Sequence, residues 1–176
     1  MYFDEPAPSI LQVPGAKDVA VEFHSLSKTF NMTGWRVGFA IGGEPMISAL
    51  KQVKANCDSG IFTAVQFAAK TALDGYDELT PPIRALYKER RDAFVSAMRK
   101  LGWDVPSPGA TFYVWIPCPK GYSSTDLCGR LLDEASVVTT PGLGFGRTAD
   151  GYVRVSLTVE TPRLLEAVDR IGKLAL

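Results

Sequence analysis

The chain has 176 residues, 46% hydrophobic and 22% charged, which suits one compact globular unit or two small ones and excludes a disordered tail or a collagen-like repeat. Nineteen Lys and Arg cancel nineteen Asp and Glu, so no global field favours DNA, RNA or an anionic membrane surface, and a bound anion has to be held by local groups. No apolar run approaches the ~20 residues of a membrane helix, and the N-terminus lacks a basic region followed by an apolar stretch.

Residues 1–18 carry Pro6, Pro8 and Pro14 without periodicity and read as an extended connector. Val19, Val21 and Phe23 alternate with Ala20 and Glu22, which predicts a half-buried strand over 19–24. A second strand is expected at 36–41. Glu44-Pro45 opens a helix over 45–55, and the run ending at Gly75 forms another. Thr80 as N-cap and Pro81 at the first helical position predict a long helix over 81–101. Ile83, Leu86, Tyr87, Phe94, Met98 and Leu101 would form its buried face, and Gly102 its end. Strands at 110–116, 136–139 and 151–158 and a helix at 125–135 follow. Thr161-Pro162 opens a last helix that buries Leu164, Leu165, Val168, Ile171 and Leu174. A boundary near residue 79 divides the chain into 1–79 and 80–176, in an alternating α/β arrangement.

Lys28 follows the first strand closely, where α/β proteins place their chemistry. Fully extended, the eight residues from Lys28 to Arg36 would span roughly 26–29 Å. A turn is therefore required for both to meet one small molecule. Asn31-Met32-Thr33-Gly34 has the residues of a type I turn, which would return the chain and aim Lys28 and Arg36 at a common pocket. A neutral lysine amine attacks carbonyls, a form that a neighbouring guanidinium and partial desolvation favour. The fork of Arg36 suits a phosphate, and the hydroxyls of Ser25 and Ser27 supply further donors. A carbonyl and a phosphate on one small molecule describe pyridoxal phosphate, with its aldehyde on Lys28. In the stretch 152–158 Val153, Val155 and Leu157 alternate with Tyr152, Arg154, Ser156 and Thr158. One face is core, and the other presents an arginine suited to a carboxylate.

Other readings of these residues are open. Lys28 and Arg154 could be ordinary solvent-facing strand residues. Ser25-x-x-Lys28 also fits the S-x-x-K of penicillin-binding proteins and β-lactamases, but the chain has no S-D-N, and K-T-F stands where K-T-G is required. Gly142, Gly144 and Gly146 depart from dinucleotide-binding spacing and precede a strand, so a structural turn is expected. Arg84, Lys88, Arg90, Arg91, Arg99 and Lys100 make the long helix basic. Glu89 and Asp92 interrupt that run, which predicts a solvated face and no nucleic-acid partner. His24 is assigned to packing. Cys57, Cys118 and Cys128 lie far apart with no C-x-x-C, so no metal site, reduced thiols and a cytoplasmic location are expected.

The stretch S-L-S-K-T-F-N-M-T-G-W-R-V-G at 25–38 closely resembles the lysine region of class I/II aminotransferases, within the fold-type I pyridoxal-phosphate superfamily. The likeness extends to G-A-T-F-Y-V-W at 109–115, and to P-G-L-G-F-G at 141–146 followed by G-Y-V-R-V-S-L at 151–157. The subgroup it most resembles is that of the diaminopimelate and alanine aminotransferase relatives. The resemblance implies a C-terminal part of the fold-type I architecture, with a remnant of the large-domain sheet and a complete small α/β domain. It implies that Lys28 forms the Schiff base with the cofactor and shuttles the proton at Cα, that Ser25 and Arg36 bind the cofactor phosphate, and that Arg154 grips the substrate α-carboxylate. Amino acids and 2-oxo acids are the implied substrates, in a ping-pong cycle, and a homodimer the implied assembly, with residues near Phe62 and Thr63 facing the partner's cofactor. In the family, an aspartate for the pyridinium nitrogen, a tyrosine and a stacking aromatic residue lie upstream of the lysine. The chain begins past them, so it is expected to be inactive alone. A pyridoxal-phosphate lyase or decarboxylase of the same fold, or a non-catalytic remnant, are the alternatives.

Overall fold

The computed structural model of the chain describes residues 1–175 and divides into two compact units, Met1–Arg84 and Ala85–Leu176. In the first unit, short helix α1 (Ala16–Val19) leads into strand β1 (Val21–Ser25). One helical turn, α2 (Leu26–Thr29), follows at once, and the chain returns as β2 (Gly38–Gly42). The strands pair antiparallel from Val21↔Gly42 to Ser25↔Gly38. Two helices come next, α3 (Glu44–Cys57) and α4 (Thr63–Asp74). Small residues set the packing of α4: Ala69 and Ala72 are buried, and with Leu26, Met32 and Val37 they form one apolar cluster. The segment between the two strands is thus fixed by its own Leu26, Met32 and Val37, with Phe30, Phe39 and Val65 packed around them.

Helix α5 (Tyr76–Lys100) runs from the first unit into the second. It begins a turn earlier than Pro81 predicts, with both Pro81 and Pro82 inside it. Thr80 is no N-cap, since its hydroxyl donates back to the Tyr76 carbonyl at 2.8 Å. The prolines remove donors for the carbonyls one turn back, at Asp77 and Glu78. Both residues are exposed, so their carbonyls are open to solvent and the loss costs little, and the helix continues through both prolines. The buried face also differs from expectation. Tyr87, Phe94, Val95 and Met98 are buried, whereas Leu86 and Leu101 are exposed. The basic run is a solvated face only in part: Arg99 and Lys100 are exposed, whereas Arg84, Lys88 and Arg90 are half-buried. Arg91 is buried and donates to the Pro108 carbonyl and to Asp92, and Arg90 and Arg99 donate to the carbonyls of Leu157 and Val105.

The second unit is a three-stranded antiparallel sheet in the order β3-β5-β4, formed by β3 (Tyr113–Pro117), β4 (Thr140–Pro141) and β5 (Tyr152–Ser156). The expected strand at 136–139 is displaced to Thr140–Pro141, because Ser136 ends helix α6 (Ser124–Ala135) in a left-handed conformation. Directly opposed residues share a face. Val114↔Val155 and Ile116↔Val153 therefore form the core side, while Tyr113↔Ser156 and Trp115↔Arg154 form the other. Val114, Ile116 and Val153 are essentially inaccessible, together with Leu127 and Leu131 of α6 and Leu164, Val168 and Ile171 of helix α7 (Thr161–Ile171). Leu165 is exposed and Leu174 half-buried, contrary to expectation. No helix among the described residues is long and apolar enough to cross a membrane, and no cluster of metal-ligating side chains is found among them.

Candidate active site

The last residue of β1 is Ser25, and the connection from it to β2 carries Ser27, Lys28 and Arg36. Pairing of Ser25 with Gly38 closes it at one end, and the Leu26 N–H donates to the Val37 carbonyl at 3.2 Å. Inside this closure the chain takes two tight turns. The Ser25 hydroxyl accepts from the Ser27 N–H at 3.2 Å and starts the turn Leu26–Thr29, which contains Lys28 three residues beyond the strand. A hydroxyl that accepts one bond keeps its own O–H to donate.

The turn expected over 31–34 takes another form. Asn31 itself is left-handed, with φ of 55°, and the tight turn falls one residue later, where the Trp35 N–H donates to the Met32 carbonyl. Asn tolerates that conformation because its short polar side chain bonds locally. The Thr33 hydroxyl then donates to the Ser27 carbonyl at 3.1 Å and ties the two turns together. Arg36 is left-handed as well, with φ of 51°, and its guanidinium donates to the Thr33 carbonyl at 3.0 Å. A non-glycine residue held there is strained, and such strain collects at functional positions.

Side-chain exposure differs within the group. Ser25 and Arg36 are exposed, Lys28 is half-buried and Ser27 is buried. Arg36 lines an open cavity of about 600 Å³ together with Phe23, His24, Phe39, Lys54 and Asp58, and Lys28 does not line it. His24 is exposed: it stacks on its cross-strand partner Phe39 at 4.9 Å between ring centroids, and its Nε2 lies 2.5 Å from Glu22. Three hydrogen bonds converge on the Glu22 carboxylate. That from the Ser9 hydroxyl, at 2.6 Å, has the largest effect in holding the carboxyl below its ordinary range, followed by those from His24 and the Ile10 N–H.

Arg154 stands in the second unit, on the open side of β5. Its guanidinium carbon lies 4.1 Å from the Tyr113 ring centroid and 4.5 Å from that of Phe145. Trp115, its cross-strand partner, meets Phe145 edge-on at 5.2 Å. Among the described residues no carboxylate or carbonyl takes its N–H groups, so the cation is held by ring faces while its donors stay available. Phe145 reaches this place on a turn made of two short 3-10 segments, Gly142–Phe145 and Arg147–Ala149. A Cβ at Gly142 would overlap the carbonyl oxygens of Ala149 and Tyr152, so only glycine lets this turn sit against β5. Ser124, with no exposed surface, pins the same turn. Its hydroxyl donates to Asp150 at 2.6 Å and accepts from the Leu143 N–H at 3.1 Å. Sequence reasoning named Arg154 but not its ring partners. The alternation of Tyr113 and Trp115 in the strand opposite was a signal for Tyr113, and nothing local signalled Phe145.

Comparison with known proteins follows the same residues. A model of the family "Aminotransferase class I and II" matches residues 1–171. The chain is 54% identical to an LL-diaminopimelate aminotransferase of Aquifex aeolicus over 172 residues, which cover 98% of this chain and 44% of the relative. Among solved structures, it superposes on an aminotransferase from Staphylococcus aureus with a TM-score of 0.92 and 40% identity, covering 99% of this chain and 46% of that one. Substrate-bound BacF from Bacillus subtilis gives a TM-score of 0.94 and 41% identity, over 99% and 45% of the respective chains. The chain spans less than half the length of the curated relatives it matches.

Proposed function

The chain belongs to the class I and II aminotransferases, and from that premise we propose that it carries the lysine and anion-binding residues of a pyridoxal-phosphate enzyme that moves an amino group between an amino acid and a 2-oxo acid. The observation that carries this reading is the closed connection 26–37, which places an amine, a hydroxyl and a guanidinium on one short loop anchored by its own apolar residues. That donor set fits the cofactor: Lys28 offers an amine for its aldehyde, and Ser25, Ser27 and Arg36 offer donors for its phosphate. When bound, pyridoxal phosphate supplies the electron sink that makes the substrate Cα–H acidic. Lys28 takes and returns the proton at Cα through its amine. Arg154 binds the substrate carboxylate through its in-plane N–H groups and so orients Cα.

Relatives are named LL-diaminopimelate aminotransferases, and we carry that substrate, an amino acid with two α-amino-acid ends, to this chain as the amino donor. The Aquifex aeolicus and Staphylococcus aureus proteins are named aminotransferases, which favours this reading over the lyase and remnant alternatives. We assign residues 1–79 to the cofactor-binding part and 80–176 to the smaller α/β part. A homodimer is the proposed assembly, consistent with the exposure of Phe62 and Phe67, and the cytoplasm the proposed compartment.

The test is to titrate pyridoxal phosphate into the chain, reduce with borohydride and map the added mass. Label on Lys28, absent from that position in a Lys28→Ala variant with total labelling falling accordingly, is the expected result. A wild-type chain that takes no label at Lys28, or a variant that labels as strongly as wild type, refutes the assignment.

A further inference from the structure

Arginines that bind substrate carboxylates need two things that conflict: a fixed position, and N–H donors that remain uncommitted. An acidic neighbour would fix the guanidinium but occupy the donors, and it would compete with the incoming carboxylate. Ring faces offer a different solution, because an aromatic quadrupole attracts the cation while forming no bond with its in-plane N–H groups. Arg154 has this surrounding. Tyr113 and Phe145 lie within 4.5 Å of its guanidinium carbon, and among the described residues no acceptor takes its donors.

The two rings reach Arg154 by different routes. Tyr113 stands on the neighbouring strand, two residues along from Trp115, the cross-strand partner of Arg154, and so shares its face. Phe145 arrives on the turn that Gly142 seats against β5 and Ser124 pins. Its ring is about half exposed, at 51%. Burial alone is therefore a weak reason for an aromatic residue at that position, and its ring lies under the Arg154 guanidinium and at a T-shaped angle to Trp115.

We propose that Phe145, with Tyr113, is a positioning residue for Arg154, holding the guanidinium by its face so that its N–H groups point unoccupied to a carboxylate ligand. The proposal rests on the carboxylate role of Arg154 given above. Phe145 touches no substrate in this scheme and acts only through the arginine.

The experiment uses the whole chain and follows the Arg154 Nε–Hε resonance by NMR, assigned with an Arg154→Gln variant, while 2-oxoglutarate is added. In the wild type the proton resonates upfield because of the ring currents, and it moves on addition of the acid. Phe145→Leu, at a half-exposed site that leaves the fold intact by circular dichroism, is expected to lose much of the upfield displacement. It should also bind the acid roughly two- to fivefold more weakly, the range that one partly exposed cation–ring contact supplies. Phe145→Tyr restores both. A wild-type resonance that ignores the acid refutes the carboxylate role of Arg154, and the positioning role with it. A wild-type response that Phe145→Leu reproduces in shift and affinity overturns the positioning role alone.

Discussion

Ser124→Ala is the substitution whose cost follows most directly from geometry. The residue has no exposed surface. Its hydroxyl makes two bonds, one donated to the Asp150 carboxylate at 2.6 Å and one accepted from the Leu143 N–H at 3.1 Å. A bond to a charged group contributes about 1.5–3 kcal/mol and a neutral one about 1 kcal/mol. Part of that sum is recovered, because the Ser124 N–H still reaches the Asp150 carboxylate at 3.2 Å and half-buried Asp150 gains water. The expected loss is about 2–3 kcal/mol. For a unit the size of Ala85–Leu176 this lowers the melting temperature by roughly 10–20 °C. Urea denaturation read by far-ultraviolet circular dichroism measures it, with Ser123→Ala as the internal comparison. Ser123 caps α6 through the Asp126 N–H at 3.1 Å from a partly exposed position, so its removal should cost about 1 kcal/mol. A loss below about 0.5 kcal/mol for Ser124→Ala, or one smaller than that of Ser123→Ala, would show that the buried hydroxyl does not pin the turn that carries Phe145.

Two further outcomes follow from the first unit. Arg36 is held at φ of 51°, which costs an L-residue roughly 1–2 kcal/mol, while glycine at the same place loses roughly 0.5–1 kcal/mol more chain entropy on folding. Arg36→Gly should therefore be as stable as wild type, or up to about 1 kcal/mol more so, and should bind pyridoxal phosphate at least tenfold more weakly. A destabilisation above about 1 kcal/mol contradicts the strain. Glu22 has its carboxyl held below the ordinary value of 4.5, chiefly by the Ser9 hydroxyl. A depressed folded-state value stabilises the fold above the unfolded one and ceases to do so as pH falls through the folded one. Stability curves of wild type and Glu22→Gln should thus separate above about pH 4.5 and converge as acid is added, and a constant offset at every pH would contradict the linkage.

The amino-acid order alone settled those features that depend on near neighbours. Alternation in the stretch 152–158 assigned Val153 and Val155 to the core and Arg154 to the open side, and both are found there. The ends of α3, α4 and α6 lie within a few residues of their expected places, because caps and prolines act within one turn. The three-block likeness at 25–38, 109–115 and 141–157 named the family, since such blocks report which residue types the chemistry demands. Bonds that no residue pattern displays, most of them between distant residues, decided the remainder. Thr80-Pro81 has the local form of a helix start, yet the turn before it is satisfied by bonds to the Gly75 carbonyl and the helix begins at Tyr76. Arg91 belongs to a charged run by sequence, but its bond to the Pro108 carbonyl, seventeen positions along, draws it inside. The rings around Arg154 come from positions 113 and 145, and no local rule joins those three residues. Only sheet pairing and the close approach at Gly142 bring them together, because a side chain's partners are set by where the backbone returns, and that is a property of the whole fold.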